Sequence, residues 1–467
     1  MTDVIMIPTA RPTFAVDVAR ERAAAARELL VSLGATVRGP EDLVMAPEQV
    51  AEAKKFFDGP PGLVINVCAS FSDATPALEL YAGLDRPVLL WAFREPGPVG
   101  DRLWLNSLCG ANLFGHAIVR AGGQVRLLYG DPGEPELERA LIAALAGRLP
   151  EAPPQPDVRQ PRGDEDIVRT ALAGLSGRRI GLVGDAPPGF TPSEYDAALV
   201  SRLFGVETEQ LTIEDLFDRI GNVGDAERSA ELEAATAQRP TLDGLDPAQV
   251  TLHAAVTSAL RGWSAAELLS GVAVRCWPEF PTRLGVCPCS SLSRLADEGT
   301  PTACERDVYG ALTMLLAESL GAGATYLVDT VDLDATANVV RLWHCGSAAT
   351  ALAADPAAAT QSVHCNRKIG VAGDFPLRTG PVIMTRLTED PARPGALRLL
   401  LASGESLPAP NRFQGNTADV RLDTPAEPFV GGLVTGGFPH HTVLAWTDVR
   451  PALRTAADLL GITVDDW

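Results

Sequence analysis

Lysine is almost missing from this chain: Lys54, Lys55 and Lys368 are its whole complement. A Schiff-base aldolase or a pyridoxal phosphate enzyme would have to be built on one of these three, which disfavours both classes. Basic runs are missing too. With 39 Lys and Arg against 59 Asp and Glu, the formal net charge is −20, and a nucleic-acid binder needs the clustered cations that this balance withholds. No apolar stretch reaches the length of a membrane span, and no basic start followed by an apolar core opens the sequence, so no membrane partner and a cytoplasmic location are expected. Eight cysteines occur, but Cys287 and Cys289 form the only close pair and no CxxC motif exists. Reduced, mostly buried thiols are expected rather than a zinc knuckle or a redox pair. GLVGDAPPGF lacks the GxGxxG spacing, and no GxxxxGK[ST] run occurs, which leaves neither a dinucleotide fingerprint nor a P-loop.

What the sequence does have is length and alternation. At 467 residues and 46% hydrophobic, it can bury the cores of several domains. From Val4, β-type runs (VIMIP, GLVINVCAS, PVLLWAF, QVRLLYG) alternate with helix-like runs (VARERAAAARELLVSL, PALELYAGL, ELERALIAALAGRL), the pattern of a parallel α/β layer. The Pro-rich, charged stretch PEAPPQPDVRQPRGDED then interrupts it. A second α/β block follows, through RIGLVGDAPPGF, the acidic stretch 213–238 and GVAVRCW, up to the helix DVYGALTMLLAESLG, whose Leu312, Leu315, Leu316 and Leu320 mark one core face. Beyond it ATYLVDTV, VVRLWHC, PVIMTRL, ALRLLLASGE, GGLVTGG and HTVLAW read as strands, closed by the helix PALRTAADLLG. The expected fold is α/β, with two consecutive Rossmann-like α/β domains (1–150 and 166–320, joined by a linker at 151–165) and a mainly β, barrel-like C-terminal domain (321–467). Rossmann-like shape here does not imply nucleotide binding.

Three polar groups stand out in this frame. Glu305 lies in TACERD just before a helix, where it serves either the helix dipole or a site. Asp329 ends the apolar run ATYLV, as a turn former or a site residue. His440 and His441 follow two glycines and precede a strand. If neighbours alternate along an extended chain, only one of the two imidazoles faces a given site. Two carboxylates and an imidazole make an oxygen-rich set that suits Mn²⁺ or Mg²⁺. His344, in LWHCG, is a further candidate near such a site, whereas His116, His253 and His364 show no constellation and read as structural.

The segment from Arg275 to Gly346 and the C-terminal GGFPHHTVLAW resemble the L-fucose and L-arabinose isomerases, and the likeness extends over most of the chain, although this chain is shorter than typical fucose isomerases. The resemblance implies a metal held by Glu305, Asp329 and one histidine of the pair; the HHTV string favours His441, with His440 as the alternative. It implies Mn²⁺ as cofactor, with Mg²⁺ or Co²⁺ possible. Arg11-Pro12-Thr13 resembles a stretch whose arginine reaches the sugar of a neighbouring subunit, which implies a homo-oligomer, a trimer or hexamer, with the N-terminal domain covering the neighbouring site. The activity implied is aldose–ketose isomerisation of a small sugar (a pentose, 6-deoxyhexose or related) through an enediol, with Glu305 and Asp329 as base and acid. Trp277, His344, Arg412 and His440 are candidate substrate contacts beside Arg11. The alternatives are a non-catalytic cytosolic sugar-binding or regulatory protein, and an epimerase or lyase using the same metal-enediolate site.

Overall fold

The computed structural model describes residues 2–59, 62–154 and 161–467; part of the linker expected at 151–165 lies outside them. Among the described residues, β1 (Thr2–Thr9), β2 (Ala35–Arg38), β3 (Leu63–Cys68), β4 (Val88–Ala92) and β5 (Val125–Tyr129) form a parallel sheet in the order β2-β1-β3-β4-β5. A second parallel sheet, β7-β6-β8-β9, is built from β6 (Arg179–Val183), β7 (Glu207–Leu211), β8 (Leu269–Val274) and β9 (Thr302–Cys304). Both expected parallel layers are therefore present. Their central strands, such as β4 (VLLWA) and β8 (LSGVAV), are largely apolar because helices cover both faces and leave little solvent side to alternate with, whereas the edge strand β7 (ETEQL) is largely exposed. The helix Val16–Ser32 shows how this works: its buried residues Ala19, Ala23, Ala26 and Leu30 recur at helical spacing and lay one stripe on the first sheet.

The remaining strands are β10 (Tyr326–Asp334), β11 (Val339–His344), β12 (Thr360–Val363), β13 (Gly370–Pro376), β14 (Gly380–Glu389), β15 (Leu397–Leu407), β16 (Asn416–Leu422), β17 (His441–Ala445) and β18 (Thr463–Asp466). They form one large mixed sheet, β12-β13-β16-β11-β10-β17-β14-β15-β18, and an additional β15–β16 pairing joins two of its distant members. Six strands, β16-β11-β10-β17-β14-β15, thus close on themselves through antiparallel pairings. Closure leaves these six without a free edge.

Three local expectations change. GGLVTGG is not a strand: its first five residues form the second half of the helix Ala426–Thr435, and its last two glycines follow that helix. That helix meets the helix Ser107–Arg120 so closely that a Cβ on Gly115 would stand 2.6 Å from the Val434 carbonyl oxygen, so the small residues serve backbone approach. The chain closes on β18, parallel to β15, rather than on the helix Arg450–Leu460. The helix Val308–Ser319 has no single core face: Val308 through Ala317 are all buried, because it lies between the second parallel sheet and the closed β layer.

Candidate active site

The site gathers where β9 ends, where β10 and β17 pair, and where the N-terminal layer covers them. Glu305 follows β9 directly, and both it and Arg306 adopt left-handed backbone (φ 59° and 56°), a conformation that costs a non-glycine residue roughly 1–2 kcal/mol. The corner is held from outside. Arg306 donates from Nε to Gly184 O (2.6 Å), from Nη1 to Ser193 O (3.2 Å) and from Nη2 to Gln210 Oε1 (3.1 Å), and the Ser193 hydroxyl donates to the Glu305 carbonyl. Helix capping falls to Asp307, whose carboxylate accepts from the Gly310 amide. This settles the helix-start alternative for Glu305: its side chain turns into the cavity instead.

Asp329 is not at a strand end. It sits mid-way in β10, and its register partner in β17 is His441; residues directly opposite on paired strands project from one face. His441 Nε2 accordingly lies 3.4 Å from Asp329 Oδ1, 3.4 Å from Glu305 Oε2 and 3.3 Å from His344 Nε2. His440 precedes β17, so strand alternation does not govern it, and both imidazoles of the pair face Glu305, with His440 Nε2 3.3 Å from Oε2. The Trp277 indole N–H donates to the other oxygen, Oε1, at 3.4 Å.

The far side of His441 fixes its chemistry. Its Nδ1–H donates to Asp307 Oδ2 at 2.9 Å, and Asp307 is fully buried in a two-pronged ion pair with the equally buried Arg386. A carboxylate on Nδ1 holds the proton there and leaves the Nε2 lone pair facing Glu305 and Asp329. Burial opposes charge on His441, but the Asp307 hydrogen bond and the charges of Asp329 and Glu305 outweigh it and raise its pKa. Burial alone would raise the Glu305 pKa, yet the His440 hydrogen bond and the three imidazoles hold it well below the usual range. Asp329 has no comparable help. Burial first, and the Glu305 charge next, push it up to about 7 against the pull of His441, and its Oδ1 is buried without a hydrogen-bond partner.

That orphaned oxygen is a direct test of whether a cation fits. Two carboxylates converge on one imidazole lone pair, and Asp329 Oδ1 makes no hydrogen bond although His441 Nε2 stands 3.4 Å away; a divalent ion between them would satisfy it. Around a small octahedral cation with bonds of about 2.1 Å, neighbouring ligand atoms stand about 3.0 Å apart, close to the 3.3–3.4 Å observed about His441 Nε2. Two overlapping triads share that histidine, Glu305 with His440 and His441, and Asp329 with His344 and His441.

The other expected contacts divide. Arg11, Trp277, His344 and His440 line the cavity together with Glu305 and Asp329. Arg11 does so within its own chain, its guanidinium 4.3 Å from the Trp277 ring centre. Arg412 is not in the cavity: its guanidinium is bound to both oxygens of Asp419, since an arginine beside a buried carboxylate on the next strand pairs there. Two lining residues escape the sequence reading. His364, structural by that reading, and Arg367 both line the cavity; the adjacent Arg367 and Lys368 just after a histidine, in so acidic a chain, are the available signal. Asp307 and Arg386 give none, because a buried second carboxylate looks like an ordinary helix cap.

No protein-family model matches the chain. It is 34% identical over 468 residues to the sulfoquinovose isomerase of Alkalicoccus urumqiensis, covering 99% of both. The sulfoquinovose isomerases of Priestia aryabhattai and of a Clostridium species are 31% and 32% identical over 466 and 471 residues, each covering 99% of this chain and 98% of theirs. The chain belongs to the sulfoquinovose isomerase family. It is a sugar aldose–ketose isomerase, the reaction class expected above. Neither the binding-protein reading nor the lyase or epimerase reading finds support among these relatives of the family.

Proposed function

We propose that the protein interconverts sulfoquinovose, a glucose carrying a sulfonate in place of its 6-hydroxyl, with the corresponding 2-ketose, and that it works with a bound divalent cation, Mn²⁺ by preference. The observation that carries the cation is the pair of carboxylates around His441 Nε2, one of them with an unpartnered buried oxygen. Glu305, Asp329 and His441 would hold the ion, with His344 and His440 close enough to join. Bound there, a divalent ion supplies Lewis acidity to the sugar oxygens at C1 and C2.

The remaining chemistry belongs to the chain. Isomerisation takes a proton from C2 of the aldose and places one on C1, while a proton moves from O2 to O1, so atoms and electrons balance without any redox partner. Glu305 and Asp329 act as base and acid, exchanging roles in the reverse direction. Trp277 and His440 hold the two oxygens of Glu305, which limits its swing and aims it for proton transfer. Asp307, anchored by Arg386, keeps His441 in one tautomer.

Turnover in D₂O tests this reading. Sulfoquinovose should be converted to its ketose with solvent deuterium appearing at carbon, and stripping divalent ions should stop both product formation and exchange. Conversion without metal would remove the cation from the mechanism, and product without any solvent exchange would argue for hydride movement instead of an enediol.

A further inference from the structure

One corner of the cavity carries charge that the isomerisation step does not use. Arg11 and Arg367 both line it, with guanidiniums 4.3 and 5.7 Å from the centre of the Trp277 ring. Neither is held by a side-chain hydrogen bond or close ion pair among the described residues. Burial lowers the Arg11 pKa first, with Asp73 and Glu305 opposing from a distance and Arg367 adding repulsion. Two like charges gathered at one aromatic ring, in a chain of net charge −20, is an arrangement that folding alone does not favour.

Beside them, His364 and Asn366 add donors. His364 Nδ1 accepts from the backbone amides of Asn366 (3.2 Å) and Arg367 (3.4 Å), so its proton is on Nε2 and what it offers the cavity is an N–H. Burial, then Arg367, keep this imidazole neutral by lowering its pKa to about 4. Asn366 spends its carbonyl oxygen on Arg102 Nη1 at 3.4 Å, which leaves its amide N–H₂. Two guanidiniums, an imidazole N–H and an amide N–H₂ match a group that is anionic at every working pH and presents only acceptor oxygens. Trp277 joins this corner to the chemistry, since its face lies against the guanidiniums and its N–H is on Glu305.

We propose that Arg367 and Arg11, assisted by His364 and Asn366, form an anion subsite that holds the sulfonate of the sugar, and that Arg367 is the specificity-determining residue. The inference rests on the isomerase reading for its substrate, and it goes further by assigning how the charged end is recognised. The uncharged 6-deoxy analogue, quinovose, gains nothing from this corner.

The test compares sulfoquinovose with quinovose in the wild type, Arg367→Gln and Arg367→Lys, by steady-state kinetics and by calorimetric binding, with thermal melting to confirm folding. Losing one charge-assisted hydrogen-bonding group at a shielded site predicts a rise of roughly 10- to 100-fold in KM and Kd for sulfoquinovose in Arg367→Gln. Its kcat should change little and its constants for quinovose hardly at all; Arg367→Lys should recover part of the loss. Competitive inhibition by methanesulfonate, expected in the wild type, should weaken in parallel in Arg367→Gln. Equal losses for both sugars would make Arg367 a general positioning group and overturn the subsite, as would unchanged sulfoquinovose binding. Binding and turnover keep the two readings apart. Sulfonate binding that needs Arg367 in a protein that isomerises neither sugar would sink the isomerase reading and keep the subsite; equal use of both sugars by the wild type would do the reverse.

Discussion

Replacing Asp307 by asparagine isolates a contribution that lies outside the cavity yet governs it. Asp307 Oδ1 accepts from Gly310 N at 2.8 Å and Arg386 Nη2 at 2.7 Å, while Oδ2 accepts from His441 Nδ1 at 2.9 Å and from Arg386 Nη1. An amide has one acceptor oxygen in place of two. Whichever way it turns, its N–H₂ confronts the guanidinium, together with either the Gly310 amide or the imidazole, donor against donor. Arg386 would remain buried with no counter-charge, and breaking a buried pair in this way costs about 3–5 kcal/mol. At about 2.1 cal/mol/K of unfolding entropy per residue, that is a fall of roughly 3–5 °C in Tm if the chain unfolds as one unit.

The same substitution acts on the site. With an N–H₂ against Nδ1, His441 moves its proton to Nε2 and loses the lone pair that faces Glu305 and Asp329. Loss of such an orienting carboxylate typically costs 10- to 100-fold in metal affinity, to be read by Mn²⁺ titration of the stripped protein. A double variant separates the two effects: Asp307→Asn with Arg386→Met removes the stranded charge and should regain most of the lost Tm, while metal affinity stays low. A single variant that melts within about 1 °C of wild type and binds Mn²⁺ normally would refute the reasoning.

Three further outcomes are expected. Removing divalent ions should lower Tm as well as activity, and Mn²⁺ should restore both, because an ion that binds only the folded site stabilises it by mass action; equal Tm with and without metal would count against the site. Mixing Arg11→Ala chains with Glu305→Gln chains should recover no activity in any mixed assembly, since both residues line one cavity of one chain, and recovery would show that Arg11 serves a neighbour. His253 is fully buried with Nε2 unpartnered, and burial followed by Arg239 and Arg294 lowers its pKa to about 3. Between there and the ordinary value near 6.5 the unfolded chain binds the extra proton, so this stability is complete above about pH 6.5 and falls on acidification, by roughly 2–3 kcal/mol at pH 4.5. His253→Phe should show a flatter Tm-against-pH curve, and a curve parallel to wild type would remove His253 from the acid response.

The fold is legible wherever one face or one period decides the structure. A continuous apolar run such as Val88–Ala92 marks a strand covered on both sides, and the alanine stripe of Val16–Ser32 marks a helix laid on a sheet. Legibility ends where a neighbour decides. GGLVTGG has β-branched residues that suit a strand locally, yet Gly431–Thr435 is helical and packs where the helix Ser107–Arg120 passes within contact of its backbone at Gly115 and Val434. The leucines of the helix Val308–Ser319 recur at helical spacing and mark one core face, and nothing in that spacing reveals that a second layer covers the opposite side.

The site divides along the same line. Glu305, Asp329 and His441 are conspicuous as residue types, and a resemblance to known isomerases places them, but their convergence depends on a register in which Asp329 stands opposite His441 across two strands more than a hundred residues apart. That pairing also shows why both histidines of the pair are engaged: the strand begins at His441 and so leaves His440 free of its alternation. Asp307 illustrates the harder case. Its role as a helix cap is written in the local sequence, and that role accounts for one oxygen only. The other oxygen orients His441, and Arg386, from a strand nearly eighty residues on, keeps the carboxylate charged. A residue that satisfies a local rule completely can therefore still carry a distant function, and only the second oxygen tells the difference.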